Sequence, residues 1–236
     1  MPSINLSGKN IDYEVRESEK ASKPRIDIDI NRVRTVIPKN SNIKPKELLK
    51  KKRGWVLKKK EKFDSYREKI PNREFKEGSE FPFLGKERTI RLSSKKRAAI
   101  EEGNILIPEE KVKKNSIKEV IENIYREKAR DLIKERVEEY TNQLDKDYNK
   151  VYIRNQKTKW GSCSSKSNLS FNWRLLMAPE YVLDYVIAHE CTHLEERNHS
   201  KNFWKKLEDL VPEYKKAINW LKENSPKLVF SPEVPN

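Results

Sequence analysis

The chain has 236 residues, of which 38% are charged and 35% hydrophobic, and its formal net charge at pH 7 is +15. It contains no apolar run near the ~18 residues of a membrane span, its first residues lack the basic and apolar regions of a signal peptide, and its two cysteines cannot build a disulfide framework. These features speak against a membrane-embedded or secreted protein and predict a cytoplasmic chain with one large domain or two small ones.

The front of the chain is predicted to be mostly β. Alternating apolar and polar residues indicate strands with one buried face, and Pro38 and Pro108 each end such a run. The predicted strands and hairpin lie at residues 11–15, 26–30, 33–37, 81–92 and 105–107. Between them, Lys44 to Lys62 is predicted to be helical, although Gly54 weakens the pattern.

The positive charge is concentrated in this front region. Residues 1–100 carry 28 lysines and arginines against 14 acidic residues, whereas residues 101–236 carry 24 against 23. Basic clusters that include an aromatic side chain bind phosphate backbones. The densest cluster surrounds Trp55, and its candidate nucleic-acid contacts are Lys50, Lys51, Lys52, Arg53, Lys58, Lys59 and Lys60. A solvated helix face in a chain rich in lysine and glutamate explains the same pattern and is the favoured interpretation.

A second set of elements follows. Ser116 is suited to cap a long helix that runs to about Leu144 with one apolar side. Val151–Arg154 and Leu169–Asn172 are predicted strands on either side of a turn-rich segment, and we interpret them as a β-hairpin. Helices are then predicted from Pro179, from Ser200 and over about 212–223.

All three histidines of the chain lie between residues 189 and 199. His189 and His193 are four residues apart, so their imidazoles share one face of a helix, and two such groups form half of a tetrahedral zinc site. Glu190 lies about 100° around the helix, where it can reach a metal-bound water without being a ligand. This is the H-E-x-x-H pattern of zinc hydrolases, in which the glutamate is the general base.

His199 is the predicted third ligand. It lies six residues after His193, so the chain must turn to bring it to the same metal, and Asn198 tolerates the left-handed conformation that ends helices. Ser200 can then cap a helix that carries Phe203 and Trp204.

Other assignments of the third ligand are weaker. The spacing equals that of metzincin proteases, but Glu196 replaces their glycine, and no methionine lies downstream to form their methionine turn. Glu208 or Glu213 is the alternative third ligand, as in thermolysin-type sites. Cys191 is expected to pack as a small apolar residue, and a role as a fourth ligand is the less favoured reading.

The element order predicts an α+β fold. Residues 1–114 form a basic, mostly β N-terminal region, and residues 115–236 form a zincin-like catalytic region with a long helix, a β-hairpin, the H-E-x-x-H helix and two C-terminal helices. Both regions together could also form one continuous unit. A sheet edge beside the metal can hold an extended peptide as an added strand, and one of the strands between Trp160 and Phe171 is a candidate for that role.

The predicted chemistry is hydrolysis of peptide bonds with one Zn²⁺ per chain, acting on a peptide or protein substrate. Three imidazoles leave one position open for water, and Glu190 takes its proton. Asn172, Arg174 and Tyr214 are candidates for a second oxyanion donor. Imidazole ligands also suit other divalent metals.

Two other functions fit the pattern less well. One is a nucleic-acid-binding protein with a structural zinc, or a protease that the basic front delivers to proteins on nucleic acid. The other is hydrolysis of a small amide or ester.

Four segments of the sequence closely resemble one known family. They are Thr158–Ser164, Phe171–Leu175, Asp184–Leu194 and Asn198–Trp204, and they resemble the YgjP-like metallopeptidases, which are related to the SprT-like zinc proteases. The resemblance is strong over about Glu122–Leu221 and weaker at the front. It implies zinc bound by His189, His193 and His199 with Glu190 catalytic, and it implies that the whole chain forms one family unit.

Overall fold

The computed structural model describes residues 1–156 and 158–231. These residues pack as two compact units, Met1–Pro71 together with Ser231, and Asn72–Phe230. Among them, no helix is both long and apolar enough to cross a membrane.

The first unit combines two small sheets with two helices. Its elements are β1 (Ser3–Leu6), β2 (Lys9–Asp12), β3 (Glu14–Ser18), β4 (Arg25–Ile28), β5 (Val33–Pro38), α1 (Pro45–Lys51) and α2 (Arg53–Glu68). β1 and β2 form an antiparallel hairpin, and β5 pairs in parallel with β3 and antiparallel with β4. Leu49 of α1 and Val56 of α2 are fully buried in a core that the strands complete. The predicted helix is therefore present, but Lys52 interrupts it with φ −106° and ψ 20°.

The second unit encloses the larger core. Its elements are β6 (Glu80–Phe83), β7 (Lys86–Ser93), β8 (Ala99–Glu101), β9 (Asn104–Pro108), α3 (Glu109–Val112), α4 (Ile117–Leu144), β10 (Lys150–Arg154), β11 (Gly161–Cys163), β12 (Asn168–Asn172), α5 (Glu180–Thr192), α6 (Lys201–Leu210) and α7 (Tyr214–Asn224). One sheet has the order β6–β7–β9–β8, and the other has the order β10–β12–β11. The predicted α+β class is confirmed.

The long helix α4 forms as predicted from its N-terminal cap. The Ser116 hydroxyl accepts a hydrogen bond from the backbone N–H of Glu119, and the Glu119 carboxylate accepts one from the N–H of Ser116. This capping box satisfies two donors that a helix start leaves open. α4 then buries one side, including Tyr125 and Ile133, against α5 and a 3-10 turn at Trp173–Met177.

The two strands that were predicted to form a hairpin do not form one. β10 and β12 pair in parallel, with Val151 opposite Leu169, so they are not the two arms of a hairpin. The antiparallel partner of β12 is β11, a three-residue strand within the segment that was predicted to be rich in turns. β10 therefore occupies one edge of this sheet and β11 the other.

The compact units divide the chain at a different place from the predicted regions. The sheet of residues 80–108 packs Phe81, Ile90, Ile105 and Ile107 into the same core as α4 and α5, so it belongs to the second unit. Packing thus separates the chain after Pro71. The division into functional regions 1–114 and 115–236 stays a prediction.

A close contact fixes where α5 begins. Gly85, in the β6–β7 turn, has φ +74°, and a Cβ on it would lie 2.8 Å from the Cα of Pro179. The neighbouring Leu84 N–H donates to the Leu176 carbonyl at 2.6 Å. Because only glycine permits this approach, the first sheet holds the N-terminus of the helix that carries the H-E-x-x-H residues.

Candidate metal centre

The structure brings the three histidines together. His189 lies in the last turn of α5, His193 is the residue directly after that helix, and His199 lies just before α6. One ring nitrogen from each lies within 4.8 Å of the others, and Nε2 of His189 is 3.1 Å from Nε2 of His199. In the described chain, no other set of His, Cys, Asp and Glu side chains converges in this way.

Two aromatic residues of α6 support the imidazoles. The buried ring of Phe203 lies 4.9, 4.6 and 4.7 Å from the rings of His189, His193 and His199. Trp204 stacks on His199 at 5.6 Å and on Tyr214 of α7 at 5.5 Å. Ser200 caps α6 by accepting from the Phe203 N–H, as predicted, and this cap sets where both aromatic rings point.

The chain reaches His199 without the predicted left-handed residue. α5 ends at Thr192, and the N–H groups of Leu194 and Glu195 donate to the carbonyls of Cys191 and Thr192, three residues earlier, in shortened turns. Among the described residues other than glycine, those with positive φ are Ser7, Leu84, Glu102, Asp145 and Ser167, so the prediction for Asn198 was wrong. Successive shortened turns reverse the chain here without a left-handed residue.

The environment keeps His189 and His193 in the neutral form that binds a metal. Burial and the two neighbouring imidazoles lower the pKa of His189 to about 3, and burial lowers the pKa of His193. Nδ1 of His193 lies 2.8 Å from the Glu196 carbonyl, so it carries the proton and leaves Nε2 free. Nδ1 of His189 is buried and has no hydrogen-bond partner among the described residues.

This arrangement fits a zinc-like ion. Zn–N bonds of about 2.0–2.1 Å in a tetrahedron separate the ligand atoms by roughly 3.3 Å, close to the 3.1 Å between the Nε2 atoms of His189 and His199. Two unprotonated nitrogens this close repel unless a cation or a proton lies between them. Three imidazoles with an open side are the ligand set of a catalytic zinc.

Glu190 lies between α5 and β11. Its side chain is buried, with 7% of its surface exposed, and a Cβ on Gly161 would come within 2.6 Å of its Cγ and 2.7 Å of its Oε1. The backbone N–H of Cys163 donates to the carboxylate. Burial raises the pKa of Glu190 to about 7, while Lys159 and the Cys163 N–H act in the opposite direction.

The free edge of β11 faces this carboxylate. The Trp160 carbonyl accepts from the Asn172 N–H at 2.8 Å, and the Ser164 N–H donates to the Asn168 carbonyl at 2.9 Å. Backbone groups alternate along a strand, so those of Gly161 and Cys163 point away from β12. This agrees with the bond from Cys163 to Glu190. The sequence alone gave neither residue a role beside Glu190, because a three-residue strand of small residues resembles a turn.

A cleft of about 210 Å³ opens beside the histidines. It is lined by Lys159, Trp160, Gly161, Tyr185, Val186, His189, Glu190 and Leu221. Tyr185 lies one helical turn before His189 and contacts its ring edge-on at 5.7 Å. Burial raises the pKa of Tyr185 to about 12, and its hydroxyl has no hydrogen-bond partner in residues 1–156 and 158–231. The sequence pattern had identified Tyr185 only as part of an apolar helix face.

The predicted oxyanion candidates have other contacts. The Asn172 amide donates to the Gln156 carbonyl at 2.8 Å, and its oxygen accepts from the backbone N–H of Arg174. The Arg174 guanidinium donates to the same Gln156 carbonyl and lies over the Trp160 ring. Tyr214 is buried against Trp204. Asn172 and Arg174 therefore hold the loop that precedes β11.

The alternative metal ligands lie outside the histidine cluster. Glu208 is 3.8 Å from Lys215, and Glu213 is 3.7 Å from Lys216. Cys191 is fully buried, and burial raises the pKa of its thiol. None of the three belongs to the converging set of ligand atoms in the described chain.

The basic candidates belong to the first unit. Lys50 and Lys51 lie on α1, Arg53 and Lys58–Lys60 lie on α2, and Lys52 lies between the two helices. All are exposed except Lys59 and Lys60, which are half-buried.

Comparison with known proteins gives one extensive match. A family model described as "YgjP-like, metallopeptidase domain" matches residues 22–224. Among solved structures, the metallopeptidase zymogen of Pyrococcus abyssi abylysin is 21% identical, with a TM-score of 0.37, over 41% of this chain and 99% of its own. That of Methanocaldococcus jannaschii jannalysin is 24% identical, with a TM-score of 0.35, over 39% of this chain and 88% of its own. No curated protein matches significantly.

The geometry predicts which side chains control metal content. We expect purified protein loaded with limiting zinc and then dialysed to retain about one ion per chain, and His199→Ala to lose most of it, because removing one of three imidazoles opens the site. Glu208→Gln and Glu213→Gln serve as matched controls and should retain the metal. Elemental analysis measures all four proteins, and full retention by His199→Ala with loss in either glutamate variant would reassign the third ligand.

Proposed function

The chain belongs to the YgjP-like metallopeptidase family, and from that premise we propose that it is a zinc-dependent peptidase that cleaves peptide bonds within proteins. His189, His193 and His199 hold the ion. The observation that carries the proposal is the buried Glu190 carboxylate, which lies directly after the first histidine and faces the free edge of a strand.

The chain's own residues supply the proton transfers and the orientation. When bound, zinc lowers the pKa of a water molecule and polarises the substrate carbonyl. Glu190 accepts the proton of the attacking water and then gives it to the leaving nitrogen. A base with a pKa near neutrality performs both transfers well, and its burial keeps bulk water from competing. The Cys163 N–H and the surface of Gly161 fix the direction in which the carboxylate points.

An extended peptide fits the edge of β11. The backbone groups that Gly161 directs away from β12 are available to a further strand, which is how a sheet edge binds a peptide. A bound peptide would then pass Glu190 and the cleft. This edge favours a peptide or protein over a small amide or ester, since a small substrate would not use it.

Tyr185 is the proposed second donor to the oxyanion. Tyr185 lines the cleft together with His189 and Glu190, and its hydroxyl is protonated at neutral pH. Asn172 and Arg174 use their donors to hold the preceding loop, which supports Tyr185 over them. A donor aimed at the carbonyl oxygen stabilises the charge that develops there.

The alternative of a nucleic-acid-binding protein with a structural zinc has less support at this site. Structural zinc sites are closed by four protein ligands, whereas three ligand atoms converge here beside an open cleft. The proposal keeps the cytoplasmic location predicted from the sequence, in agreement with two cysteines that are both free thiols.

Replacement of Glu190 tests the proposed base. We expect Glu190→Gln to retain zinc and to lose at least about 100-fold in the rate of cleavage of casein or a fluorogenic peptide, because general-base catalysis contributes ~10²–10⁴. Glu180→Gln, on the same helix and paired with Arg136 at the surface, is the control and should keep its activity. An active, zinc-loaded Glu190→Gln protein would refute the assignment.

A single methyl group at Gly161 tests the contact between β11 and the base. Gly161→Ala places a Cβ 2.6 Å from Glu190 Cγ, so the carboxylate or the strand must shift. A displacement of about 1 Å costs ~100-fold in rate, and we expect a loss of this order in kcat/KM with zinc content unchanged. Gly54→Ala is the control, because no atom lies within 4 Å of its Cβ position. Undiminished activity in Gly161→Ala would show that this contact does not position Glu190.

Removal of one hydroxyl tests Tyr185. Tyr185→Phe keeps the ring against His189, and we expect kcat to fall about 100-fold, the typical effect of losing one oxyanion donor, with KM and zinc content nearly unchanged. Tyr181→Phe removes a hydroxyl one turn earlier on α5 and should have little effect. Steady-state kinetics on a peptide substrate separates the two parameters, and a change confined to KM would assign Tyr185 to substrate binding instead.

A further inference from the structure

One face of α2 carries an unusual combination of side chains. Lys58 and Lys59 lie three and four residues after Trp55, Lys62 lies four and three residues after them, and Tyr66 follows four residues later, so the five side chains form a row along the helix. We call this row the α2 stripe. At about 1.5 Å per residue it extends over roughly 16 Å, and none of the four acidic residues of Lys44–Lys69 belongs to it.

The stripe is not part of the core of the first unit. Val56 supplies the buried contact of this part of α2, and Leu57 packs at the margin of the same core. Trp55 lies on another side and is 44% exposed, one of only four large hydrophobic residues in the described chain that are exposed. Almost half of this large apolar side chain therefore remains exposed to solvent.

The lysines of the α2 stripe have no acidic partners among the described residues, unlike several basic side chains of α4. On α4, Arg126 pairs with Glu122, Lys134 with Glu138, and Arg136 with Glu139. On α2, the one ion pair among the described residues joins Lys60 to Asp64, and neither residue belongs to the stripe. In the described chain, the basic residues without an acidic partner within 4.0 Å include Lys50, Lys51, Lys52, Arg53, Lys58, Lys59 and Lys62. A solvated face of alternating charges, the interpretation favoured from sequence, would show pairs like those on α4.

The stripe has an aromatic side chain at each end and lysines between them. Nζ of Lys62 lies 5.2 Å from the centre of the Tyr66 ring, so cation and aromatic ring already adjoin at one end. Proteins bind single-stranded nucleic acid by stacking bases on aromatic rings while lysines follow the phosphates. A membrane surface fits less well, because insertion requires a broad apolar face, and the apolar side of α2 is buried in the core.

We propose that the α2 stripe binds single-stranded nucleic acid, with a base stacked on Trp55 and phosphates contacted by Lys58, Lys59 and Lys62. Stacking requires an unpaired base, so a single strand is preferred over a duplex. No contact to the sugar is involved, and DNA and RNA strands bind alike. The proposal goes beyond the peptidase function and is independent of it.

The experiment is fluorescence anisotropy of the full chain with labelled 20-nucleotide oligothymidine and oligouridine, at several salt concentrations. A duplex of the same length and polyglutamate are the competitors. We expect Lys58→Gln/Lys59→Gln/Lys62→Gln to bind at least tenfold more weakly and to lower the slope of log K against log salt by about 2, since each phosphate contact on a single strand contributes ~0.7. Trp55→Ala should weaken binding about tenfold with the slope unchanged.

The matched control is Lys111→Gln/Lys113→Gln/Lys114→Gln, which removes the same charge from exposed lysines of the second unit. It should bind as the unaltered chain does. Equal weakening by both triple variants, no effect of Trp55→Ala, equal competition by duplex or polyglutamate, or no binding at low salt would each overturn the proposal. Circular dichroism and peptidase activity, expected unchanged in every variant, establish that the proteins are folded.

Discussion

Glu190 is a carboxylate held almost entirely out of water between a helix and a strand edge, and the geometry around the histidines depends on this burial. A charged group in such a place requires hydrogen bonds and close packing. The Cys163 N–H provides the first, and the missing side chain of Gly161 permits the second. β11 must therefore lie against α5 at backbone distance, and the same approach brings the strand's free edge to the histidines.

The loop that carries His199 is tied to the same strand. The Arg197 guanidinium donates to the Ser164 carbonyl at 2.8 Å, directly after β11. On the other side, Phe203 and Trp204 hold the His199 ring from α6. The third imidazole is thus fixed from both directions although it lies in a loop and is exposed. Rigid support of this kind is what a site on a loop needs to hold ligands at bonding distances.

The sequence allowed prediction of the parts that local patterns specify. Ser116 was predicted to cap α4 because its hydroxyl needs only a backbone N–H three residues away, and helical spacing fixes His189, Glu190 and His193 relative to one another. The strand pairing depends on contacts between distant residues, so an alternating pattern cannot tell whether β10 and β12 are parallel. β11 is too short to show a period, and Tyr185 has the same spacing as a core residue. The pairing of these strands and the location of Tyr185 beside the cleft were therefore visible only in the structure.

In this chain of net charge +15, the two highly charged helices α4 and α2 differ in how many of their basic side chains have acidic partners. α4 pairs Arg126, Lys134 and Arg136, three of its six basic residues, with acids about one turn away, so these charges support the helix. α2 places Lys58 and Lys62 one turn apart with no acid between them on that face, and like charges at this spacing destabilise a helix by a few tenths of a kcal/mol. The contact of Lys62 with the Tyr66 ring offsets part of that cost. A polyanion bound to the stripe, as we propose, would offset the rest, so the repulsion among these lysines would favour its binding.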